Sequence, residues 1–165
     1  MAFIAPSNKT TGTVVTAAHW NQDVVENVNA LFPDAAGAIS WTPGLGSHVG
    51  TGAAVTTIGR RYRVGAIQHV WARFTITSPG AGFYVVALPV AAVGVSASAA
   101  QGSGQTIGSW TLRDDSGPDS RDGTVLLRAA DEVWFNVGPG NLTESYPFLI
   151  AAGDILSFHA SYPIA

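Results

Sequence analysis

The chain has no cysteine and a single lysine, Lys9, among its 165 residues. Without thiols there can be no disulfide frame, no zinc–cysteine site and no thiol nucleophile, so stability has to come from packing and association. Charge is scarce in general: 12% of the residues are charged against 47% hydrophobic, which is about half the usual charged share. An exterior so short of ionic groups has to be acceptable to another protein surface, and this points to obligate assembly. A net charge of −3 with no basic run lacks the positive footprint that phosphate backbones require, so nucleic acid is not an expected partner. No apolar run approaches the roughly 18 residues needed to span a bilayer, and the opening MAFIAPSNKT does not carry the charged and apolar regions of an export signal. The expectation is synthesis in the cytoplasm without membrane insertion.

Recognisable catalytic chemistry is missing too. His19, His48, His69 and His159 share no metal-ligand spacing, and HExxH does not occur. His69 and His159 fall in strand-like stretches that could converge, but no carboxylate is placed beside either. Gly44-Leu45-Gly46-Ser47-His48-Val49-Gly50 puts its third glycine one residue late for a dinucleotide fingerprint and is read as a turn. The stretch from Arg113 to Gly123 holds Asp114, Asp115, Asp119 and Asp122, but it does not follow the calcium-loop pattern and its arginines compete for the same oxygens. It is read as a solvated loop. No catalytic residue, metal site or cofactor is assigned, and the chain is read as a non-enzyme.

What the sequence does contain is strands. In Gly65–Pro89, Val70, Ala72, Phe74 and Ile76 alternate with His69, Trp71, Arg73 and Thr75, the period of a half-buried strand. Ser78-Pro79-Gly80-Ala81-Gly82 supplies the turn, through a fixed proline φ and permissive glycines. The partner stretch from Phe83 to Leu88 is apolar on both faces and needs cover on both, from a second sheet or from a neighbouring chain. Strands are expected at 38–42, 53–63, 66–77, 83–88, 105–112, 124–129, 132–137 and 155–162. About eight strands without intervening helices define a mainly β chain, an antiparallel β-sandwich or jelly roll.

Ahead of the strands lie an extended, turn-rich arm and one short amphipathic helix at 17–32, stopped by Pro33. Trp20, Val24, Asn27, Val28 and Leu31 form its apolar seam, where Asn27 would cost stability while fixing register. The seam packs either on its own domain or on another body. The organisation is therefore 1–33 arm and helix, 34–37 hinge and 38–165 β-domain. Trp71, Tyr84, Val86 and Trp134 are the expected contacts between copies, because their strands are unusually apolar.

The run from Thr13 to Leu31, TVVTAAHWNQDVVENVNAL, resembles the opening segment of small virion proteins of tailed bacteriophages of actinobacterial hosts, in which such a segment precedes a C-terminal β-domain. Trp41-Thr42-Pro43, the stretch from Val55 to Gly65, Leu88-Pro89-Val90 and the closing stretch from Ala151 to Tyr162 are similar in order to the trimeric jelly rolls of phage fibre and decoration proteins, which are like tumour-necrosis-factor and C1q heads. The resemblance implies a structural protein of the virion. Its arm and helix would attach to the major capsid protein or to tail proteins, and its jelly roll would project as a homotrimer. Absence of long shaft repeats favours a capsid decoration or head-fibre role. The alternative is a minor tail or tail-fibre protein that binds a host receptor or surface glycan.

Overall fold

The computed structural model describes residues 16–20, 38–94, 104–138 and 140–165. Ten strands follow a short helical turn, α1 (Ala17–Trp20): β1 (Ile39–Trp41), β2 (Gly46–Ser47), β3 (Ala54–Val64), β4 (Ile67–Ser78), β5 (Tyr84–Ala87), β6 (Thr106–Arg113), β7 (Ser120–Ala129), β8 (Glu132–Val137), β9 (Gly140–Asn141) and β10 (Ile155–Pro163). All pairings are antiparallel, in the order β1-β3-β4-β10-β6-β7-β8-β5-β2, with β9 beside β8. The sheet curls on itself, so that its inner side closes over one core. The chain is thus a mainly β protein of the sandwich or jelly-roll class. Strands β6, β7 and β8 form a meander and β5 returns beside β8, a Greek-key arrangement.

Alternation sets which side chains reach the core. Val70, Ala72, Phe74 and Ile76 of β4 and Leu156, Phe158, Ala160 and Tyr162 of β10 all point inward, as their periodicity predicts. They meet Trp110 and Leu112 of β6, Val125 and Leu127 of β7, and Val133 and Phe135 of β8. Phe158 is the hub of the aromatic packing. It lies 5.4 Å from Phe135 and 6.2 Å from Trp41, both edge to face, and 6.2 Å from Phe74 in a stacked pair.

Gly123 and Gly108 are among the glycines fixed by close approach. The Trp110 indole Nε1 donates to Asn136 O at 2.9 Å. It passes so near Gly123 that a Cβ there would stand 2.8 Å from Nε1 and 2.0 Å from Asn136 O. At Gly108, beside the register shift in β6, a Cβ would meet His159 O at 1.9 Å. Asp154, buried in the turn before β10, accepts from Asp115 N at 3.0 Å and Ala151 N at 2.9 Å, tying the β6–β7 turn to that segment.

The expected strands recur with bounds shifted by one or two residues, except that β7 begins at Ser120 rather than 124. Val24, Asn27, Val28 and Leu31 of the expected helix seam and the hinge at 34–37 lie outside the described residues. Trp20 closes the described turn α1, and its side chain is outside them as well.

Candidate functional site

The curled sheet has two outer faces. Strands β3, β4, β10 and β6 line the first, and cross-strand register arranges its side chains in rows. Tyr62, His69 and Ser161 form one row; Arg60, Trp71, His159 and Ser109 the next; Ile58, Arg73, Ser157 and Thr111 the third. Each lies opposite a core residue of the same strand, so period-two geometry alone turns this set outward. Apolar groups are prominent for an outer face. Trp71 is 40% exposed, Tyr62 46% and Ile58 53%.

Arg60, Tyr62, His69, Trp71, His159 and Ser161 border a shallow depression of about 350 Å³. Tyr62 stacks on His69 with ring centroids 4.6 Å apart and planes 8° from parallel. His69 Nδ1 shares a hydrogen bond with Ser161 Oγ at 2.8 Å, and His159 Nδ1 one with Ser109 Oγ at 3.4 Å. The two strand histidines therefore converge on one face, as diagonal neighbours across β4 and β10. A serine beside an imidazole is half of a nucleophilic constellation. The other half, a carboxylate orienting the ring, is not hydrogen-bonded to either histidine among the described residues.

The second outer face, on β7, β8, β5 and β2, is closed by the chain itself. Leu126, Trp134, Val85 and Gly46 form its cross-strand row. Over Trp134 lie the Arg128 guanidinium, 5.5 Å from the ring centroid, the His48 ring at 5.7 Å and the Phe83 ring at 6.4 Å. Arg128 is held in place by an ion pair to Glu132 and a hydrogen bond to His48 Nδ1. The cover that the apolar β5 stretch demands on its outer side is thus supplied within the protomer.

This arrangement corrects three of the four expected contacts between copies. Tyr84 and Val86 are 0% exposed because their parity on β5 turns them into the core, and Trp134, at 2%, is sealed under Arg128, His48 and Phe83. None of the three has surface to offer a neighbour. Trp71 alone of the four presents its ring to solvent. Tyr84 is a structural group: its hydroxyl accepts from Gly80 N at 3.2 Å, and burial raises its pKa above the usual phenol value.

In the acidic stretch Asp114, Asp115 and Asp119 border one open depression together with Arg113, but they are not placed to hold a metal ion together. Asp114 accepts from Ser116 Oγ and from Ser116 N, both at 2.7 Å, bonds that hold its carboxyl below the usual carboxylate range. Asp115 pairs with Arg113, and Asp122 lies on the exposed start of β7. Among the described residues no group of three or more His, Asp or Glu side chains is placed to hold a metal ion, and no helix is long and apolar enough to cross a membrane.

Comparison of the chain with protein-family models, with curated proteins and with solved structures finds no match. Function therefore has to be argued from the site.

Proposed function

We propose that this chain is a non-enzymatic structural protein of a tailed-phage virion, a capsid decoration or head-fibre subunit that assembles as a homotrimer. The outer face of β3, β4, β10 and β6 is the contact between copies, and residues 1–33 attach the trimer to a capsid or tail protein. The observation that carries this reading is the contrast between the bare face, where Trp71, Tyr62 and Ile58 stand open, and the opposite face, where Trp134 is covered. Protein chains rarely leave a contiguous aromatic and aliphatic patch in water, and obligate oligomers bury roughly 2,000 Å² or more of such surface. The virion assignment is supported by the segment from Thr13 to Leu31 and by the sandwich that follows it.

Light scattering coupled to size exclusion tests the assembly. The expected mass is three times 17.0 kDa, and a single-chain mass at micromolar concentration would reject it. Gold-labelled antibody on virions tests the location, with capsid labelling expected. Labelling confined to the tail tip would favour the receptor-binding alternative, for which the depression beside Trp71 offers aromatic faces suited to a sugar ring.

A further inference from the structure

On the outer face of β3, β4, β10 and β6 the two strand histidines stand in adjacent rows, and the register fixes what surrounds them. His69 has Tyr62 beside it on β3 and Ser161 on β10, while His159 has Trp71 on β4 and Ser109 on β6. Both border the depression next to Trp71. Their ring hydrogen bonds go to hydroxyls, Ser161 Oγ at 2.8 Å and Ser109 Oγ at 3.4 Å. A hydroxyl can donate to or accept from a neutral imidazole, and it brings no negative charge for a protonated one.

The charged groups around the histidines carry one sign. Arg60 on β3 shares the row of Trp71 and His159, its Nη1 donating to Ser40 Oγ at 2.8 Å. Arg73 on β4 stands in the next row, and Arg113 on β6 in the row after that. The carboxylate of this part of the face is Asp122 on β7, which pairs with Thr111 and lies two strands from His159. Neither histidine joins an ion pair among the described residues. The stack of Tyr62 on His69, with centroids 4.6 Å apart, lies within one chain. It attracts a charged ring equally before and after association, so it favours neither state.

Covering a neutral, hydrogen-bonded imidazole costs little, whereas covering a charged one beside arginines leaves an uncompensated cation. We propose that His69 and His159 make the association of copies acid-sensitive: this face holds another copy while both rings are neutral and releases it when they take up protons. The inference rests on the assembly reading above, since it concerns the same face. Imidazoles ordinarily charge near pH 6.5. Association through neutral rings is therefore at full strength above that value and is lost as pH falls below it, by about 30-fold for each ring at about pH 5.

Light scattering of the full chain at about pH 7.5 and about pH 5, at constant ionic strength, tests this, with far-ultraviolet circular dichroism on the same samples. A trimer at the higher pH is expected to give single chains at the lower, its dissociation constant rising by more than about 100-fold while the dichroism of the folded protomer persists. His69→Gln with His159→Gln keeps a neutral hydrogen-bonding group at each place and should stay trimeric at both. If that double variant does not associate at neutral pH, the unaltered chain decides: the logarithm of its dissociation constant plotted against pH should report uptake of about one proton or more per chain released. A flat plot, or a trimer equally stable at both pH values, would overturn the acid response and leave the assembly reading standing. Single chains at neutral pH would reject the assembly reading and the response with it. Acid dissociation unchanged in the double variant, or accompanied by loss of the folded dichroism, would also overturn the proposal, because the titrating groups would then lie elsewhere.

Discussion

Trp71 and Trp134 occupy equivalent positions, each at mid-strand with its ring on the outer side of the sheet, and they end in opposite environments. Trp134 lies beneath Arg128, His48 and Phe83, whereas Trp71 has only Arg60 and His159 as flanking neighbours in its row and is 40% exposed. The same side chain is a structural element in one half and a surface feature in the other. The difference lies in what the chain folds over each half, because the segment from Leu45 to His48 reaches β5 and not β4. Apolar surface that a protomer covers for itself contributes to its own stability. Surface it leaves bare is available for association.

The comparison can be broken experimentally, beginning with the covered half. Trp134→Ala should cost about 3–5 kcal/mol in denaturant unfolding, since it empties a sealed site, and should leave the subunit number unchanged in light scattering. Asp154→Ala should cost about 2–3 kcal/mol in the same unfolding assay, because the Asp115 and Ala151 amides lose their buried acceptor. Arg128→Ala should cost about 2 kcal/mol and raise acrylamide quenching of tryptophan fluorescence as Trp134 is uncovered.

On the inner face, the raised folded-state pKa of Tyr162 means that its neutral form is the one the fold accepts. Its contribution is present below the ordinary phenol value near 10 and is lost as pH rises toward about 12. Unfolding midpoints followed through that window should fall, and Tyr162→Phe should remove that part of the fall. The smallest effect on protomer stability belongs to the bare half. Trp71→Asp should change it by less than about 0.5 kcal/mol and yet reduce the assembly to single chains in light scattering. A variant that stays trimeric would move the contact to another face.

The long strands were legible because β4 and β10 alternate with a clear period, so parity and core membership followed directly from Val70 to Ile76 and from Leu156 to Tyr162. In β5 and β8 the signal fails. Tyr84-Val85-Val86 and Val133-Trp134-Phe135 are apolar at every position, so nothing local says which parity faces the core, and Tyr84 and Val86 were misplaced for that reason, whereas Trp134 has the outward parity and is hidden by the groups that lie over it. β2 and β9 span two residues each and exist only through distant partners. The start of β7, Ser120 to Gly123, reads as turn chemistry and is strand because β6 pairs with it. The polar inner row of Arg63, Gln68 and Tyr162 depends on the register of three strands, the last of them nearly a hundred residues away along the chain. No window along the sequence brings those residues together.

The place of β10 has a consequence for biogenesis. It is the last strand in the sequence, and it inserts between β4 and β6. Until residues 155–163 have been made and docked, both older strands carry a row of unsatisfied amides and carbonyls, and Phe74, Trp110 and Phe135 face a gap where Phe158 will sit. A half-made chain is therefore sticky at its centre as well as at its rim. Docking of β10 closes the two seams together, so the sheet is continuous only once this strand is in place, and a chain without it would present strand edges on both sides of the gap.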